Sequence, residues 1–138
     1  MTADDAARIA SRLPGVTEGE RHGNRTWFVA GKAFAWMRPF SKADIRRFGD
    51  KTPPRGPILA VRVANLDAKD VALMANPGPL FAIPHFDGYP AVLIRLEAVT
   101  KPLLEASIVD AWLAMAPPEL SATLRRDDDR RTWRLLDR

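Results

Sequence analysis

The chain has 138 residues, of which 46% are hydrophobic, and this size and apolar content fit one domain with its own core. It contains no cysteine, which excludes disulfides, thiolate metal sites and thiol chemistry. The 21 lysines and arginines against 17 acidic residues give a net charge of +4, a modest excess that permits an anionic partner such as nucleic acid.

The N-terminal segment, residues 1–13, alternates charges with alanines and lacks the apolar run of an export signal. Charges also interrupt every apolar stretch before the roughly 20 residues that a spanning helix needs. We therefore expect a cytoplasmic protein with no membrane partner. Thr2 and Asp5 have the spacing of a capping box, and apolar residues follow at helical spacing. This pattern predicts an amphipathic helix that ends at Pro14-Gly15.

Two aromatic and β-branched runs, 26–30 and 33–37, flank Gly31-Lys32 and predict a β-hairpin with glycine at the first turn position. The register of that turn would place two cross-strand pairs on the core face: Trp27 with Trp36 and Val29 with Phe34. The opposite face would carry three apolar residues: Phe28, Ala35 and Met37. We expect chain or a partner to cover so apolar a face.

The segment from Pro39 to Pro57 is dense in proline, glycine and charge, with basic residues in excess. It predicts a mobile loop with room for one helical turn. Its arginines could contact phosphates, although a solvated charged loop is the simpler interpretation. Three later runs predict strands: 58–64, 80–83 and 91–96.

Two more helices follow from capping and stripe patterns. Leu66 and Asp67 match the hydrophobic staple and N-cap of a short helix that ends near Asn76. Another helix begins at Lys101-Pro102, keeps its apolar residues on one stripe and ends at Pro117. Since helices and strands do not alternate regularly, the order of elements predicts an α+β fold with an antiparallel sheet and helices on one face.

We expect one domain, residues 1–118, followed by a charged C-terminal extension, residues 119–138. The extension contains three apolar residues after a mixed-charge run: Trp133, Leu135 and Leu136. We expect them either to dock on the domain or to form an oligomer contact. The oligomeric state stays open.

The two histidines, His22 and His85, each lie in a predicted turn beside glycine or aspartate. A metal centre would need further ligands, and no H-x-x-x-H or H-x-E pattern is present. Asp87 could orient His85, but the sequence has no G-x-S-x-G nucleophile, and an Asp87-Gly88 turn explains the pair more simply. The glycines form no phosphate-binding loop. We therefore expect no enzyme, metal or cofactor.

Two segments carry a family resemblance: 11–19 (SRLPGVTEG) and 84–93 (PHFDGYPAVL). With the hairpin between them they resemble the MmcQ/YjbR family over residues 3–118. The resemblance implies a fold similar to frataxin-like proteins, with N- and C-terminal helices packed on an antiparallel sheet. It also implies DNA binding through a proposed double-wing shape, and it brings no catalytic residue. Iron handling is disfavoured, because Arg8 and Arg12 balance the acidic residues of the first helix.

These observations favour a non-enzymatic protein that binds DNA non-specifically through phosphate contacts of its hairpin and loop. The basic residues assigned to that role are Arg25, Lys32, Arg38, Lys42, Arg46, Arg47 and Arg55. The alternative is a cleft for a protein or a small molecule. Four residues would converge there: His22, His85, Asp87 and Tyr89.

Overall fold

An antiparallel sheet organises the chain, whose computed structural model describes residues 1–124. Six strands are present in this part: β1 Val16–Arg21, β2 Asn24–Val29, β3 Lys32–Met37, β4 Ile58–Arg62, β5 Leu80–Phe81 and β6 Ala91–Arg95. Their spatial order is β1-β2-β3-β4-β6-β5, and every neighbouring pair is antiparallel. The helices before residue 118 are α1 Ala3–Ser11, α2 Lys42–Arg47, α3 Leu66–Ala75 and α4 Lys101–Met115, with a 3₁₀ helix at Pro84–Phe86. The predicted α+β class is confirmed.

The N- and C-terminal helices cover one face of the sheet, as predicted. The capping box of α1 is formed, since the Thr2 side chain accepts from the Asp5 N–H and the Asp5 carboxylate accepts from the Thr2 N–H. The predicted stripe of α4 is buried at four positions: Leu104, Ile108, Ala111 and Trp112. The Trp112 indole N–H also donates to the carbonyl of Pro14 at 3.0 Å, which joins α4 to the end of α1.

The register predicted for the β2–β3 hairpin is wrong. Val29 pairs with Lys32, so the turn consists of Ala30 and Gly31, both in the left-handed region with φ of 50° and 76°. A register shift between Trp27 and Phe28 then adds one residue to β3. Trp27 therefore pairs with Ala35, and neither with Phe34, which the unbroken register would give, nor with the predicted Trp36.

The bulge also changes which side chains reach the helix-covered core. Trp27, Val29 and Phe34 lie in that core as expected, but Ala35 joins them. Trp36 instead packs with the hydrophobic cluster on the opposite face. A single extra residue therefore exchanges the faces of neighbouring side chains, since successive side chains alternate across a strand.

The chain itself covers much of that opposite face. Its buried cluster comprises Ile58, Ala60, Ile83, Phe86, Ala91 and Leu93. Phe40 and Phe48, which flank α2, pack against this cluster with ring centroids 5.4 Å apart. The segment 39–57 thus contains a short capped helix, with Ser41 as N-cap and Asp44 completing a capping box.

Other boundaries differ locally from the predictions. Strand β1 was not predicted, and α3 is capped by Asn65 and not by Asp67. Residues 118–124 are helical, and Leu120 and Leu124 pack against the main core. Trp133, Leu135 and Leu136 lie outside the described residues, so the prediction for them stays a prediction.

Candidate functional site

An open groove of about 560 Å³ lies on the sheet face opposite α1 and α4. Three parts of the chain surround it: the β1–β2 turn, the start of α2, and the segment 84–90. Its lining combines basic, aromatic and small polar side chains. This volume lies within the roughly 300–1,000 Å³ that is typical of sites for small ligands.

The β1–β2 turn forms one rim of the groove. His22 and Gly23 both have positive φ, 54° and 78°, as a two-residue hairpin turn requires. Arg21 and Asn24 are paired across this turn, so both side chains lie on the groove face of the sheet. A histidine in the left-handed region is uncommon, and here the conformation places His22 beside Arg21 on the groove.

Aromatic rings form the opposite wall. The ring centroids of Trp36, Phe86 and Tyr89 lie 5.7 to 6.5 Å apart, and Phe86 meets Tyr89 edge to face. Phe86 is buried, whereas Tyr89 is 38% exposed. Phe86 therefore anchors the wall in the core, and Tyr89 presents its ring to solvent.

Arg38 connects the wall to α2. Its guanidinium lies 5.7 Å from the Phe86 ring centroid and forms an ion pair of 2.9 Å with Asp44. Burial opposes the ionisation of Asp44, but hydrogen bonds from Ser41 and the charge of Arg38 outweigh it and lower the pKa of Asp44 below 3.8. Asp44 is thus an anion that fixes Arg38 and partly compensates its charge.

Arg62, the last residue of strand β4, holds Tyr89 in place. Its guanidinium donates to the Tyr89 hydroxyl at 2.9 Å and lies 4.9 Å from the ring centroid. The Arg62 Nε is buried and has no hydrogen-bond partner within residues 1–124. The ring of Tyr89 is therefore fixed in place with a positive charge over it.

Lys69 of α3 stabilises the segment that carries Phe86 and Tyr89. The residue is 6% exposed, and its ammonium donates to the Phe86 carbonyl at 2.6 Å and to the Tyr89 carbonyl at 2.8 Å. Burial lowers the pKa of Lys69, while the charges of Asp87 and Asp70 oppose that shift. This buried lysine joins α3 to the aromatic wall.

The structure brings together three of the four residues assigned to the cleft. His22, His85 and Tyr89 line the same groove. Asp87 is not among the lining residues and does not support the predicted convergence of all four. Asp87 is exposed in the segment 84–90, and its negative charge acts on the ammonium of Lys69 in α3.

The seven basic residues do not form one surface. Arg25 forms ion pairs with Asp4 and Glu18 at 2.8 and 3.0 Å on the helix-covered side. Lys32 is the first residue of β3, beside the other hairpin turn. The extended strand from Lys32 to Met37, at the groove end of β3, spans about 17 Å. Arg38 lines the groove, and exposed residues of the 39–57 segment continue from it: Lys42, Arg46, Arg47 and Arg55. The predicted surface therefore divides, and its groove-side part lies mainly on α2.

Several residues of the groove were not predicted from the sequence. Arg21 and Asn24 were overlooked because β1 was not predicted, and Trp36 was assigned to the other face. The dipeptide His22-Gly23 could have indicated the β1–β2 hairpin, since glycine in a two-residue turn is a strong hairpin signal.

Within the part of the chain that the structure describes, no helix is long and apolar enough to cross a membrane. Residues 1–124 also contain no group of three or more histidine, aspartate or glutamate side chains placed to hold a metal ion.

The fold places the chain among small α+β proteins that carry two terminal helices on an antiparallel sheet. The sequence model of the YjbR family matches residues 11–114, and the chain belongs to this family. Uncharacterised proteins of Mycobacterium tuberculosis and Mycobacterium bovis are each 43% identical to it over 122 residues. Each alignment covers 86% of this chain and 92% of the relative. The resemblance inferred from the sequence is confirmed.

Proposed function

We propose that the chain is a non-enzymatic domain that binds DNA through the groove and the adjoining helix α2. One observation carries the proposal: basic and aromatic side chains line the same groove, including Arg21, Arg38 and Tyr89. Guanidinium groups suit phosphates, and aromatic rings suit bases. The net charge of +4 agrees with an anionic partner.

Several charges available to phosphates lie on the groove side. In the described residues Arg21 has no carboxylate within ion-pair distance, and Lys42 and Arg46 are exposed on α2. Arg47 lies 3.7 Å from Asp44, which it shares with Arg38. We therefore assign phosphate contacts chiefly to Arg21, Lys42 and Arg46.

The test compares two charge reversals that change the net charge equally. Lys42→Glu alters the α2 side of the groove, and Lys32→Glu alters the far hairpin turn. Both lysines are exposed, and a glutamate at the first turn of α2 suits the helix dipole. Fluorescence anisotropy of labelled DNA at about 50 and 150 mM salt gives the affinity and its salt slope.

We expect Lys42→Glu to weaken binding several-fold and to reduce the salt slope by about one phosphate contact. Lys32→Glu should leave both close to those of the unchanged protein. Equal weakening by the two variants would mean that net charge governs binding and would remove the assignment to α2. An absence of binding at the lower salt would overturn the proposal.

A second candidate is a binding site for a protein or a small molecule in the same groove. The meeting of His22, His85 and Tyr89 favours it, because polar groups beside an apolar wall orient a ligand. It predicts binding that is insensitive to salt and sensitive to His85→Ala. A screen of metabolites by thermal shift, with His85→Ala as the comparison, tests it.

A further inference from the structure

We infer that the groove receives a single unstacked base of a DNA strand and that the chain prefers single-stranded DNA to duplex. The inference rests on the proposed function and names the form of nucleic acid that the groove would take. Its basis is the concave shape and the aromatic lining, which serve no purpose for a ligand that presents only its phosphates.

The shape of the site separates the two forms of DNA. Duplex DNA keeps its bases stacked inside and presents phosphates at its surface. Exposed α2 residues could contact such a surface, but the groove lies between the β1–β2 turn and the segment 84–90. A ring can reach its aromatic wall only after leaving the stack, as bases of single strands do readily.

The aromatic wall fixes how a base would lie. The ring centroids of Trp36 and Tyr89 are 6.5 Å apart and their planes are inclined by 59°. A base needs about 3.5 Å on each side, so two rings this close and this tilted cannot enclose it. The base would stack on the exposed ring of Tyr89, which Arg62 holds in place from β4.

Polar groups surround that position. His22 and His85 line the groove and offer ring nitrogens to the edges of a base. Arg21 lies on the same rim and can take the adjacent phosphate. Arg38 is held by Asp44 and orients the wall more than it adds free charge.

The experiment measures anisotropy with four labelled ligands: an oligothymidine strand, a duplex of equal length, an abasic strand of equal length and thymidine monophosphate. We expect the oligothymidine strand to bind about 5- to 100-fold more tightly than the duplex or the abasic strand, the range that stacking of one base supplies. Equal affinity for all three polymers would overturn the inference. Equal affinity for the mononucleotide would assign the groove to free nucleotides instead.

Variants assign the effect to the ring. Tyr89→Leu should remove the preference for single strands and keep the salt slope, whereas Tyr89→Phe should retain the preference. Phe28→Leu is the matched control, because Phe28 lies on the same sheet face but does not line the groove. Thermal melting shows that each variant is folded.

The two proposals fail in different ways. If Tyr89→Leu changes nothing while Lys42→Glu still weakens DNA binding, the base site is wrong and the phosphate surface stands. If no DNA of either form binds, the proposed function fails and this inference fails with it.

Discussion

The buried ammonium of Lys69 offers a sharp test of how the aromatic wall is built. The substitution Lys69→Met keeps an apolar stem that matches lysine up to Cε, and it removes the terminal ammonium with its charge and both hydrogen bonds. The Phe86 carbonyl keeps its bond from the Tyr89 N–H at 3.0 Å, and the Tyr89 carbonyl keeps its bond from the Ala91 N–H at 2.8 Å. Neither carbonyl is orphaned, so the change isolates the ammonium.

The magnitude follows from two opposing contributions. Two hydrogen bonds from a charged donor contribute about 3–6 kcal/mol together. Desolvation of the ammonium offsets part of this, in agreement with the pKa of Lys69, which burial lowers. We expect Lys69→Met to lower the free energy of unfolding by about 2 kcal/mol.

Urea denaturation at pH 7 measures that change, with Lys101→Met as the control. Lys101 is exposed and its amine lies 3.9 Å from the Glu105 carboxylate, so the control should change stability by less than about 0.5 kcal/mol. Amide hydrogen exchange over residues 84–90 should also accelerate in Lys69→Met. A Lys69→Met variant as stable as the unchanged protein, with unchanged exchange, would refute the argument that this lysine holds the segment.

Two further predictions concern the rims of the groove. Asp44→Asn should reduce stability by about 2 kcal/mol at neutral pH. Because the folded pKa of Asp44 is lowered, its contribution to stability is present above pH 3.8 and is lost as the pH falls through the folded pKa. The free energies of unfolding of Asp44→Asn and the unchanged protein should therefore converge in acid. A stability difference that is independent of pH would contradict this. Gly23→Ala should cost about 1 kcal/mol in urea denaturation, because φ is 78° and no atom lies near the added methyl group; an unchanged midpoint would speak against a left-handed turn.

The sequence was sufficient for the elements that local patterns specify. The capping box at Thr2 and the stripe of α4 depend on residues three or four apart, and both are confirmed. Strand β1 was missed because it is an edge strand whose burial does not alternate and whose residues include glycine and charge. Charged residues on an edge discourage further pairing, but they also hide the period of two that reveals a strand.

The groove was predictable only where turns specify it. His22, His85 and Tyr89 were found because they stand in segments rich in glycine and proline, where binding residues are common. Arg21 and Trp36 were not, since their faces depend on the register of strands that pair across turns.

The β2–β3 bulge has a direct consequence for the site. Without the extra residue, Trp36 would lie opposite Arg25 and share the helix-covered face with Trp27, and the groove would lose the ring beside Tyr89. With it, Trp36 pairs with Thr26 and faces the groove, while Ala35 fills the space beside Trp27. A small residue in the core and a large ring in the groove both follow from one irregular position, so the local geometry of the hairpin determines whether the aromatic wall exists.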